Sequence, residues 1–249
     1  MWILDRTGRA LARFLTEPRP YELRPTTSVP DALATVLRKG DVLLVEGNTR
    51  ISVTIKYLTQ SSWSHAALYI GDALGPPADG GEPNVLLEAD VNAGVRAVPL
   101  SKYATQHTRI CRPVGLSGEE IDRVIGFAAA RIGRQYDRKH IWDLARYLLP
   151  TPPIPSRWRR RLLAIGSGDP TRAICSTLIA EAFDSVGYPL LPHPLLARGG
   201  EPANDAATAE VRRIHEQGLF VPRDFDVSPY FQIIKPTLEQ GFDPHLMPA

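Results

Sequence analysis

DPTRAICSTLIAEAFDSVGYP, residues 169–189, places a cysteine near the first turn of an otherwise apolar helical face. Counting from Cys175, the residues Leu178, Ile179, Ala182, Phe183 and Val186 recur at helical spacing, so the stretch reads as a helix whose buried stripe carries the sulfur with it. Such a cysteine is either core filler or a nucleophile. The chain has only 2 cysteines in 249 residues, Cys111 and Cys175, with no CxxC pair and no zinc motif. That usage excludes a disulfide scaffold and predicts free thiols in a reducing compartment. A nucleophilic thiol needs a lowered pKa and a base within hydrogen-bond reach, which turns attention to the histidines.

Of the 6 histidines, His107, His140, His193, His215 and His245 stand in loops or on helices among charged or proline-rich neighbours and read as solvated side chains. His65 differs. In SSWSHAALYIG, residues 61–71, it sits in a strand between the small residues Ser64 and Ala66, and alternation gives it a face shared with Trp63, Ala67 and Tyr69. Taken alone, a histidine on an apolar strand face is more often a core residue than a base. Glu88, at the end of the apolar run NVLLEAD (84–90), is the second ionisable group of interest, because its desolvation is costly unless something hydrogen-bonds to it. A carboxylate beside His65 could hold the imidazole by one nitrogen and stabilise the imidazolium. A strand-end glutamate pointing at water is the alternative, and Asp90 on the same face is the substitute carboxylate. Cys111, between Ile110 and Arg112 in a strand, reads as packing.

The flanking elements predict an α+β domain. GDVLLVEG (40–47) is a short apolar run bounded by glycines and reads as a buried strand; TRISVTIKYLTQSS (49–62) has helical spacing at Ile51, Ile55 and Leu58 despite its β-branched content. WSHAALYIG is a strand, NVLLEAD and GVRAVPL form a hairpin around Asn92 to Gly94, and TRICRPVG (108–115) is a further strand. Short links between these strands predict a central, antiparallel, curved sheet packed against helices, the cysteine helix among them. Helices dominate the second half. SGEEIDRVIGFAAARIG (117–133) opens on a capping box, Ser117 with Glu120, and stops at Gly133; YDRKHIWDLARYLL (136–149) is a second helix, ended by the prolines of PTPPIPS, and DAATAEVRRIHEQG (205–218) a later one. Residues 1–38 read as an amphipathic helix and a Pro-rich connector, and 39–249 as the domain, with a basic Pro/Arg-rich insertion at about 150–168.

Together these residues resemble a family. A strand opened by GDVLL, a helix, SHAALYIG, an acidic residue before GVRAVPL, then GRQYDRKHIWDL and finally ICSTLIAEAF look like the circularly permuted papain-like cysteine hydrolases of the NlpC superfamily, the YiiX-like branch, from about Lys39 to Val186. The order is the specific part: the histidine strand comes first and the cysteine helix last, whereas the unpermuted family has the reverse. The resemblance implies a permuted papain-like fold, with Cys175 as nucleophile, His65 as general base and acid, and Glu88 orienting the histidine. It implies no metal and no organic cofactor. Tyr136 and Asp137 in GRQYD match a motif recurrent in the family, though a turn into the next helix is the simpler role. A cysteine at a helix start gains from the helix field and can offer its own N–H to an oxyanion. Asp169–Pro170 would start the helix too early for this, so GDPT is expected to be a turn, with the helix beginning next to Ile174.

The function expected is therefore hydrolysis of an amide or ester, in a peptide or a lipid acyl substrate. A lipid acyltransferase using the same cysteine and a silent lipid- or peptide-binding module are the rivals. The formal charge of +2 gives no ground for a nucleic-acid partner. No stretch has the roughly 20 successive apolar residues of a membrane span, and the N-terminus is not signal-like, so a cytoplasmic location is expected. Trp158 with Arg157, Arg159, Arg160 and Arg161 is a solvated charge run or, on a sharper reading, a peripheral membrane contact.

Overall fold

Val42, Leu43, Leu44 and Val45 are all fully buried. A strand covered on both faces reads as a continuous apolar run rather than an alternating one, which is why GDVLLVEG lies at the centre of the sheet. The computed structural model describes residues 17, 30–90, 93–134, 175–192 and 220–243. In chain order these form α1 (Pro30–Val36), β1 (Val42–Val45), α2 (Arg50–Thr59), β2 (His65–Tyr69), β3 (Leu86–Asp90), β4 (Gly94–Val98), a 3₁₀ turn (Leu100–Tyr103) and β5 (Thr108–Pro113). Then come α3 (Gly118–Ala129), α4 (Cys175–Asp184), α5 (Pro222–Val227), β6 (Phe231–Ile234) and α6 (Pro236–Glu239).

The sheet has six strands in the order β4-β3-β2-β1-β5-β6, every neighbour antiparallel. The α+β expectation holds, and the sheet gains β6, which lay unassigned in the closing segment. Val45 is opposite both His65 on β2 and Thr108 on β5, so the end of β1 and the starts of β2 and β5 share one end of the sheet. Capping fixes the helices around it. Thr49 accepts from the Ser52 N–H at the start of α2, and Ser117 and Glu120 complete the capping box of α3. The turn before β1 needs Gly40: its φ is +87°, and a Cβ there would meet the Ile121 side chain at 2.5 Å.

Two apolar layers follow from strand alternation. On one face Val42, Leu44, Ala66, Leu68, Leu87, Ala89 and Cys111 pack with α3, α4 and α5 through Val124, Ile125, Leu178, Ile179, Phe183 and Phe225. Alanine at 66 and 89 leaves room for α4 to lie close over β2 and β3, and the burial of Leu178, Ile179 and Phe183 stabilises this packing by about 1.5–3 kcal/mol per side chain. On the other face Leu43, Val45, Ala67, Leu86, Val98 and Ile110 pack with Leu33, Val36, Leu37 and Tyr103. Asp41 anchors α1 to β5: Arg112 donates to its two carboxylate oxygens at 2.8 Å each, and the Arg38 N–H donates at 2.8 Å.

Several expectations fall outside the described residues. These are the N-terminal helix, most of the Pro-rich connector, Tyr136 and Asp137, the helices at 136–149 and 205–218, the basic segment with Trp158, Arg157, Arg159, Arg160 and Arg161, the GDPT turn, and His140, His193, His215 and His245.

Candidate active site

β2 begins at His65, and this start places the ring at the end of the sheet, with 23% of the side chain exposed. β3 brings Glu88 beneath it, wholly buried. His65 Nε2 lies 3.1 Å from Glu88 Oε2. The other donors to this carboxylate come from the next two elements of the chain. Antiparallel register sets Arg96 of β4 opposite Glu88, and its Nε donates to Oε1 at 2.8 Å. The 3₁₀ turn after Pro99 supplies Lys102, whose Nζ donates to Oε1, and Tyr103, whose hydroxyl donates to Oε2. The two oxygens are thus divided: Oε1 takes the two cations, and Oε2 takes the imidazole and the phenol.

Burial pushes the Glu88 carboxyl up, but hydrogen bonds from His65, Lys102 and Tyr103 and the charge of His65 outweigh it and hold the group well below the usual carboxylate range. An ionised Glu88 can only accept, so Nε2 of His65 carries a hydrogen, and in the neutral ring the basic lone pair is on Nδ1. Tyr103, 4% exposed, also lies against the imidazole, with ring centroids 5.9 Å apart. Asp90 accepts from the Ala93 N–H at 2.8 Å and from Arg96 at 3.5 Å.

Trp63 does not share the face of His65 as alternation predicted. Because β2 starts at residue 65, the pleat does not extend back to Trp63, whose ring enters the opposite layer beside the α4 residues. Its Nε1 donates to Asp226 Oδ2 at 3.0 Å, Arg109 lies over its ring, and His107 stacks on it with centroids 5.3 Å apart. His107, expected to be solvated, is therefore half-buried in a stack. Cys111 is wholly buried and its thiol is pushed far up, chiefly by burial, as suits packing.

Of the three sequence-derived site residues the structure brings His65 and Glu88 into contact. Cys175 opens the described part of α4, which packs against β2 and β3; its side chain lies outside the described residues. The body of α4 occupies the face opposite the His65–Glu88 pair, and His65 stands at the strand end, the place where the two faces meet. Arg96, Lys102 and Tyr103 were missed from the sequence. Hairpin register would have found Arg96, whereas nothing in the pattern singles out the other two. Among the described residues no cluster of three or more His, Cys, Asp or Glu is arranged to hold a metal ion, and no helix is long and apolar enough to cross a membrane.

Residues 36–148 match the family described as permuted papain-like amidase enzymes, YaeF/YiiX, C92. The match contains His65, Glu88, Arg96, Lys102 and Tyr103 and ends ahead of Cys175. The chain is 26% identical over 180 residues to the probable lipoprotein peptidase YaeF of Escherichia coli K12, across 66% of this chain and 61% of that protein. It thus spans about three fifths of the length of this curated relative. It is also similar, at 15% identity and a TM-score of 0.47, to the crystal structure of the metalloprotein yiiX from Escherichia coli O157:H7, across 80% of this chain and 96% of that one. The segment 36–148, with the histidine strand and its buried glutamate, is thus similar to the permuted papain-like amidases of the YaeF/YiiX type.

Proposed function

We propose that the protein is a thiol hydrolase of amide bonds in peptides, with Cys175 as nucleophile, His65 as base and acid, and Glu88 as the residue that orients His65. The observation that carries this is the buried, ionised Glu88 holding Nε2 of a partly exposed imidazole at the sheet end. A glutamate in such a place is costly to bury for packing alone; its use is to fix one tautomer and one ring orientation. The family's description as amidases and the relative's name as a peptidase support an amide substrate over an ester.

In this mechanism His65 Nδ1 takes the Cys175 proton, and the thiolate attacks the amide carbonyl carbon. The C–N bond breaks as the imidazolium returns that proton to the departing amine, leaving a thioester on Cys175. Water, deprotonated by Nδ1, then attacks the thioester carbonyl, and the C–S bond breaks to give a carboxylic acid and the regenerated thiol. The orienting carboxylate moves no proton; it stabilises the imidazolium formed in each half-reaction. The chemistry requires the first turn of α4 to present Cys175 to His65 around the end of β2.

The test is digestion of a mixed peptide library in the presence of phospholipid and a primary amine, with products read by mass spectrometry. The expected result is new peptide carboxyl and amino termini, abolished in Cys175→Ala, and an acyl adduct on Cys175. Acyl transfer from phospholipid to the amine with every peptide intact would replace this reading by the transferase.

A further inference from the structure

Glu88 is surrounded by more positive charge than a residue that only orients a histidine requires. Arg96 and Lys102 both reach Oε1, while Oε2 is left to His65 and Tyr103. Arg96 extends the cluster to Asp90, so the two carboxylates on β3 are matched by two cations before His65 is counted. A lone buried carboxylate in hydrogen-bond contact with an imidazole would hold it as imidazolium across the neutral range. A base that must gain and release a proton in each half-reaction is poorly served by that.

We propose that Arg96 and Lys102 are positioning residues that offset the charge of Glu88, so that it holds His65 and steadies the imidazolium without locking the ring in that form, and the ring stays able to exchange its proton near neutral pH. The proposal deepens the hydrolase reading and rests on His65 being its base. Tyr103 supports the same arrangement sterically, since its ring lies against the imidazole and its hydroxyl shares Oε2 with Nε2. The other ionisable groups described around this end of the sheet are Glu46, paired with Lys56 of α2 at 3.2 Å, His107 stacked on Trp63, and the Arg109–Asp226 pair beneath that ring. Glu46 and Asp226 each have a cationic partner of their own, which leaves Glu88 as the carboxylate in contact with the ring whose charge Arg96 and Lys102 control.

The sign of the effect follows directly. Removing one cation exposes negative charge at Glu88 and stabilises the imidazolium, so the His65 titration midpoint rises; neutralising Glu88 itself leaves the cations uncompensated and lowers it. The experiment is NMR titration of the imidazole carbon-bound protons in the full chain, with the His65 signal assigned from its loss in His65→Gln. Lys102→Gln and Arg96→Gln are expected to move the midpoint up, Glu88→Gln to move it down, and Lys102→Arg to leave it in place. A midpoint that is unmoved or lowered in Lys102→Gln and Arg96→Gln overturns the proposal. Loss of the ring contact alone would not give opposite signs for the cation and carboxylate variants. If Lys102→Gln fails to fold, Arg96→Gln carries the same prediction through the other cation. Because the titration needs no substrate, upward shifts without any peptide cleavage would uphold the neutralising role and sink the hydrolase reading, and cleavage with unmoved midpoints would do the reverse.

Discussion

The Nε2 atom of His65 lies 3.1 Å from the Oε2 atom of Glu88, a carboxylate with no exposed surface at all. Strand geometry produces this pair: extending the β2–β3 register puts Ala67 opposite Glu88, so His65 and Glu88 are diagonal neighbours on one face. A contact of this kind ties the tautomer of the histidine to the burial of the glutamate, and most of what can be tested concerns that tie.

Glu88→Gln should be less stable than wild type at neutral pH and should change how the protein responds to acid. The folded-state pKa of Glu88 lies below its ordinary 4.5, so its ionisation stabilises the fold above that value, and this contribution is lost as pH falls below it. Chemical denaturation at stepped pH should show a flatter acid limb in Glu88→Gln than in wild type. Equal limbs would mean that the carboxylate is no better held in the fold than in the open chain.

Glu88→Ala is a harsher change. It leaves the Tyr103 hydroxyl buried without its acceptor and opens a small cavity, while Arg96 and Lys102, partly exposed, can turn to water. A loss of about 1–3 kcal/mol in urea unfolding is expected, and the double variant Glu88→Ala with Tyr103→Phe should lose less than the sum of the two singles.

Asp41→Ala tests the anchor between α1 and β5. Both partners are nearly buried, with side-chain exposures of 1% for Asp41 and 12% for Arg112, so removing one leaves an unpaired guanidinium inside the fold. The expected cost is about 3–5 kcal/mol, measured by the shift in urea midpoint at unchanged slope.

Trp63→Ala should cost about 3–5 kcal/mol, because the ring fills the layer beneath α4 as well as holding Asp226 and His107. Trp63→Phe keeps most of the volume and loses the Nε1–H donor, so its loss against wild type reports chiefly the hydrogen bond to Asp226, and the further loss in Trp63→Ala reports the packing.

How far the sequence foretold these features depends on how local each one is. The buried run of β1, the β-branched helix α2, the hairpin of β3 and β4 and the Ser117–Glu120 box all follow from patterns a few residues long, and the structure repeats them. β6 escaped because four residues between proline-containing segments carry little periodicity, and its identity as a strand comes from pairing with β5, more than a hundred residues earlier. Trp63 was assigned to the wrong face because alternation was carried past the residue where the strand begins. Glu88 could be suspected from its cost of burial, but Lys102 and Tyr103 reach it from a turn whose direction no spacing rule supplies.

The most direct measurement is the rate of alkylation of Cys175 by a mild haloacetamide as a function of pH, followed by mass spectrometry in wild type and in His65→Ala. If His65 activates the thiol, wild-type Cys175 labels well below its ordinary thiol range near pH 8.5, and the labelling curve moves up towards that range in His65→Ala. Superimposable curves in the two proteins would contradict the account, since a thiol indifferent to that imidazole has no base.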